Sequence, residues 1–119
     1  MRRSFIPLTC LCVATLLTAC ASPYRSFYRE TNHKLKPAPI PAEEVKPVLS
    51  ADHLTTPWIE VGIYRGHAPT VEEAMETALD ACGKAGADFF ILNTEPFEAG
   101  GLWKLDGFCA ARDDGQAEQ

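Results

Sequence analysis

The chain has 119 residues, enough for one small domain, and carries 16 acidic against 11 basic residues for a net charge of −5. That acid excess leaves the chain as a whole without the electrostatic footprint nucleic acid requires, and without an overall attraction to anionic headgroups. No Walker or dinucleotide-binding glycine pattern occurs, and Gly100-Gly101 is too short for a phosphate cradle.

Met1-Arg2-Arg3 opens the chain as a short positive segment, Phe5 to Leu17 is largely apolar, and small residues precede Cys20. This is the organisation of a signal peptide. A spanning helix needs roughly 20 continuous apolar residues. Here Pro7 interrupts the stretch, Thr9, Thr15 and Thr18 dilute it, and a polar, Pro-rich segment begins at Ser22. Leu17-Thr18-Ala19-Cys20 resembles the lipobox of bacterial lipoproteins. The resemblance implies cleavage before Cys20, a diacylglyceryl group on its thiol and acylation of the new amino terminus. An uncleaved apolar helix and a conventional signal peptide are the competing readings. Several acyl chains, at about 0.8 kcal/mol per buried methylene, hold a protein where one chain is marginal. Arg2-Arg3-Ser4-Phe5-Ile6 also resembles a twin-arginine export signal, but the preceding segment is very short, so general secretory export is expected. Ala21 is not the aspartate of an inner-membrane retention signal, which implies the periplasm-facing leaflet of an outer membrane. Loss of Arg2 and Arg3 takes the net charge from −5 to −7.

Cys10 and Cys12 leave with the signal peptide and Cys20 is consumed by lipid, so Cys82 and Cys109 remain. Two cysteines in an oxidising compartment point to one disulfide. A pair of buried free thiols and two ligands of a metal site are the alternatives. The second is poorly served, because His33, His53 and His67 show no metal-ligand spacing.

Residues 20–52 hold Pro23, Pro37, Pro39, Pro41 and Pro47, mixed charges and few large aliphatic side chains. Lys36-Pro37-Ala38-Pro39-Ile40-Pro41 favours extended polyproline II. This reads as a tether, spanning roughly 100 Å if fully extended and roughly 30 Å as a coil. Tyr24, Phe27 and Tyr28 follow the lipid site, where they suit a headgroup layer, a partner or an unstructured segment equally.

Residues 53–112 read as one domain. Trp58 to Arg65 alternates, with Ile59, Val61 and Ile63 on one face, and predicts a half-buried strand. After the turn Gly66-His67-Ala68-Pro69, Thr70 and Glu73 match a capping box. Val71, Ala74, Met75, Ala78, Leu79, Cys82 and Ala85 then recur at helical spacing, with Gly86 as C-cap. Phe89 to Asn93 predicts a second strand, Ala99-Gly100-Gly101 a loop, and Leu102 to Arg112 a third strand, bent or bulged near Asp106-Gly107. The expected fold is α+β: a β-α-β-β domain with one helix on a three-stranded mixed sheet, its first two strands parallel. Residues 113–119 are expected to be an acidic disordered tail. Cys82 on the apolar helical face and Cys109 near the end of the last strand are placed to meet. A bond closing that loop contributes about 3 to 4 kcal/mol, much of the stability of so small a domain.

Ile59 to Gly66, the helix ending Ala85-Gly86-Ala87-Asp88, the strand Phe89 to Leu92 and the closing Gly107-Phe108-Cys109-Ala110 carry a further resemblance, covering about 55 residues. They look like the small β-α-β domain of the outer-membrane sensor lipoprotein of the Rcs envelope-stress phosphorelay, and of the heavy-metal-binding-domain-like family. The first implies a lipidated cysteine, a Pro-rich linker and a signalling role. It departs here in having cysteines for one disulfide where that family has two.

Glu72, Glu73, Glu76 and Asp80 read as a solvated helix face, Asp88 as an organiser of the helix-to-strand turn, and His67 as a loop residue without a marked nucleophile. No catalytic residue, cofactor or metal is expected. A single helix covers one face of a sheet, so the other face and the edges need a cover: the N-terminal segment, a second copy or a partner. Tyr64, Phe90 and Phe108 are the candidates for that uncovered side. Trp58 and Trp103 are candidate hot spots, with packing as the alternative. The reading is a non-enzymatic, lipid-anchored envelope protein whose domain binds a protein partner, as a stress sensor or assembly accessory. Self-association, and a small-ligand or metal binder, stand as alternatives.

Overall fold

A computed structural model describes residues 24–113. The expected signal peptide, Cys20 and residues 114–119 of the expected tail therefore lie outside the described residues. The architecture is α+β, with one helix against a mixed sheet of six strands where three were expected. The strands are β1 (Arg25–Glu30), β2 (Lys46–Val48), β3 (Trp58–Ala68), β4 (Phe89–Leu92), β5 (Phe97–Ala99) and β6 (Leu102–Arg112), and the helix is α1 (Val71–Lys84). The sheet order is β1-β3-β6-β4-β2, with β5 paired to the far end of β6. Strand β6 thus inserts between β3 and β4 and is antiparallel to both, so β3 and β4 run parallel as expected.

Helix α1 forms as its sequence requires. The Thr70 hydroxyl accepts from the Glu73 amide at 3.2 Å and satisfies one orphan donor of the first turn. Ala74, Ala78 and Cys82 are buried on the sheet, with Met75, Leu79 and Ala85 packed beside them. At the other end the Ala87 amide donates to the Cys82 carbonyl and the Gly86 amide to the Gly83 carbonyl. This Schellman pair places Gly86 at φ +76, the left-handed region that glycine enters without penalty.

The expected tether is part of the domain. Strand β1 pairs antiparallel with β3 along all six of its residues, and β2 pairs parallel with β4. Between them, residues 31–45 form a strap across the end of α1. The Ile40 amide donates to the Gly83 carbonyl at 2.9 Å, and Leu35, Ile40 and Val45 pack into the core. The prolines do favour extended backbone, and Pro41 has φ −63, ψ 148. Extended chain, however, also suits docking. Proline brings no amide donor that burial would orphan, and Gly83 and Gly86 let the strap approach. A Cβ on Gly86 would meet the carbonyls of Pro37 and Ala38. Gly86→Ala should therefore cost about 1 to 3 kcal/mol, from backbone strain and the clash together. A lowered urea midpoint at unchanged m would show it, and an unaltered midpoint would detach the strap from the helix.

Strand β3 carries the second departure. The register with β6 shifts between Glu60 and Gly62, so the irregularity sits at Val61 rather than at Asp106-Gly107. The Val61 carbonyl accepts from the amides of both Thr31 and Asn32, where the chain leaves β1. One extra residue reverses the alternation beyond it. Ile59, Val61, Tyr64 and Ala68 belong to the helix-side core, and Ile63 turns to the opposite face.

The main core under α1 joins Tyr64, Phe90, Leu92, Leu105 and the disulfide Cys82–Cys109, whose Cα atoms are 5.3 Å apart. A smaller core on the other face gathers Val48, Phe89, Ile91 and Ala110, covered by Leu54, Trp58 and Phe108. The N-terminal segment thus supplies one of the three expected covers. One sheet edge is blunted without a partner, since β2 is three residues long and contains Pro47.

Candidate functional site

The smaller core covers the β4-β2 half of the face opposite α1. Across β1, β3, β6 and β5 that face stays open as a groove of about 780 Å³. Its composition follows from register. Arg25 stands beside His67, His67 beside Lys104, and Lys104 beside Phe97, forming one row across four strands. The next row on this face is Phe27, Arg65 and Asp106, and the third begins with Arg29 and Ile63.

Four cations, Arg25, Arg29, Arg65 and Lys104, line the groove against one carboxylate, Asp106. Asp106 lies 3.5 Å from Arg65 and is matched by it. Phe27 and Phe97, 51% and 48% exposed, are among the few large apolar side chains left open to solvent in the described residues. In a chain with net charge −5 this is a local inversion of sign. Net charge averages over faces, so the acid excess gave no warning of it.

The sequence candidates are distributed differently. Tyr64 and Phe90 were expected on the uncovered side, but the Val61 bulge and the pairing of β4 place both under α1, where their rings meet edge to face at 5.7 Å. Burial raises the Tyr64 phenol above its ordinary range. Trp58 and Phe108 do lie on the face away from α1, yet they pack on each other at 5.3 Å as the lid of the smaller core. Trp103 stands opposite Ala68 and Glu98 at the hairpin end, half-buried. Cys82 and Cys109 are fully buried and bonded. His33 lies 3.4 Å from Glu30, His53 ends a short 3-10 turn, and His67 falls in the groove's first row. Asp88, expected to organise the helix-to-strand turn, instead ties it to the end of β6, its carboxylate accepting from the Arg112 amide at 2.9 Å.

Tyr24 is fixed at the groove's end of the domain. Its hydroxyl donates to the Glu73 carboxylate at 3.2 Å, and the negative charge of Glu73 raises the phenol's pKa. Tyr28, for which the sequence left a headgroup layer, a partner and an unstructured segment open, packs on the helix-side core. Its hydroxyl is buried with no hydrogen-bond partner among the described residues, and burial, with Glu30 and Glu60 nearby, raises its pKa.

Of the groove residues, Phe27 was marked in the sequence as one of three aromatics following Cys20, whereas Arg25, Arg29, Arg65, Phe97 and Lys104 escaped sequence reasoning because they come from separate segments, each unremarkable alone. Among the described residues no helix is long and apolar enough to cross a membrane, and no group of three or more His, Cys, Asp or Glu is placed to share a metal ion. The chain matches no protein-family model, no curated protein and no solved structure.

Proposed function

We propose that this chain is a non-enzymatic envelope lipoprotein, held by lipid on Cys20, that presents a small binding domain whose working surface is the open half of its sheet. The observation that carries the reading is the groove itself. It gathers four cations and two exposed phenylalanines at the end of the domain where the chain enters from Cys20. A sheet face left bare by the protein's own segments, apolar at its margin and opposite in charge to the rest of the chain, suits recognition of an anionic partner. Stress sensing and envelope assembly are the roles that the resemblance implies for such a domain.

Anchoring is tested by metabolic labelling with an alkynyl fatty acid, followed by membrane fractionation. Wild-type protein should carry label and sediment with the outer membrane, and Cys20→Ser should carry none. Label that persists in the variant refutes the anchor.

A further inference from the structure

The distance between anchor and domain decides what the groove meets. From Cys20 to Tyr24 there are four residue steps, at most about 14 Å even when fully extended. The expected tether of 30 to 100 Å is absent, because residues 25–48 are built into the domain. Tyr24 immediately precedes Arg25, so the chain enters at the edge of the groove's first row, beside Arg25, His67 and Lys104, while the Tyr24 hydroxyl reaches Glu73 on the α1 side. A domain on so short a leash stays at the bilayer surface, whether acyl chains or the uncleaved apolar segment provide the hold.

We infer that the groove docks on the anionic phospholipid headgroups of the membrane to which the chain is anchored, so that the domain lies on the bilayer with its β1-β3-β6-β5 face down. Three independent features agree. The leash confines the domain to the headgroup layer. The cations Arg25, Arg29, Arg65 and Lys104 complement phosphate, and each Lys or Arg near an anionic surface strengthens binding about fivefold. Phe27 and Phe97 flank them, as aromatic side chains do at the interface. The acidic remainder of the chain is repelled by the same surface, which selects this one face. The anchor makes docking intramolecular, so a small patch suffices.

The inference rests on the proposed anchor only for its position, and the test separates the two. Residues 20–119 with Cys20→Ser, which contain every described element, are held on vesicles by an N-terminal polyhistidine tag and a chelator lipid, with a photo-crosslinking amino acid at Phe27. Vesicles of phosphatidylcholine with phosphatidylglycerol should give lipid adducts. Phosphatidylcholine alone, high salt, or the double variant Arg25→Glu and Arg29→Glu should lower the yield by about 25-fold or more, with the circular dichroism of the double variant unchanged. Equal adducts on both vesicles and in both variants, or none at all, would overturn the docking. So would a protein adduct in place of lipid when the same probe is placed in the wild-type chain in cells. The acyl state of native Cys20, read by the mass of the N-terminal peptide, reports separately on the anchor.

Discussion

Residues 53–119 expressed without the preceding segment should fail to fold cooperatively. The sequence boundary near residue 53 marks a change of composition, but two strands of the sheet and the strap over α1 lie before it. Their removal takes away six residues of pairing on β3 and the parallel partner of β4. It also uncovers core surfaces now packed against Tyr28, Leu35, Ile40, Val45 and Val48. Burying a large apolar side chain contributes about 1.5 to 3 kcal/mol. Losing five such contacts matches or exceeds the roughly 5 kcal/mol expected for a domain this small. Denaturant titration followed by circular dichroism is the check. Residues 20–119 should unfold in one sharp transition, and the fragment should show a broad or absent one. A fragment that unfolds at the midpoint of the longer chain would restore the tether.

The second large effect belongs to the disulfide. Replacing Cys82 and Cys109 together by alanine should lower stability by about 3 to 4 kcal/mol, because a closed loop with a sequence separation of 27 no longer restricts the unfolded chain. Both residues are fully buried between α1 and β6, so the double variant also leaves a small gap in the main core. The pair is replaced as a unit so that no single buried thiol remains. In urea titrations the midpoint should fall sharply. Mass spectrometry of the native, non-reduced protein should find the two residues linked, and two alkylatable thiols in the folded state would defeat the prediction.

Docking on the membrane alters the mechanical picture that the anchor alone suggests. A long tether would let the domain search a volume above the bilayer. With the proposed anchor at Cys20, a leash of four steps and a cationic face would instead hold it in one orientation, with the sheet toward the headgroups and α1 away. Residues Glu72, Glu76 and Asp80 on the exposed side of that helix then form the acidic surface directed away from the bilayer.

Elements with local causes were legible in the sequence. Helix α1 announces itself through the Thr70 cap, the apolar spacing from Ala74 to Cys82 and the stop at Gly86, all forces acting within a few residues. The disulfide was legible by counting, because Cys82 and Cys109 are the two cysteines left once Cys10, Cys12 and Cys20 are set aside, one on the apolar face of the helix and the other in the last strand. Strand β1 was not. Arg25 to Glu30 shows little apolar alternation, and its conformation is imposed by the hydrogen bonds of β3. Strand β2, three residues long around Pro47, has no propensity of its own and exists because β4 offers a parallel edge. Strand β5 hid in an expected loop. Gly100 and Gly101, both at positive φ, close a two-residue hairpin that recruits Phe97–Ala99 onto β6.

By itself, then, the sequence determined the α+β class, the helix and its ends, and the cysteine pair. Each depends on side-chain spacing or local backbone chemistry that neighbours in sequence decide. Tertiary structure alone decided which way Ile63 and Tyr64 face, because one bulged residue held by the amides of Thr31 and Asn32 reverses the alternation of β3. It alone turned a presumed tether into two strands and a strap, and it alone gathered the cations. Arg25, Arg29, Arg65 and Lys104 are spread over 80 positions and meet only because strand register is set across the sheet by hydrogen bonding between distant segments.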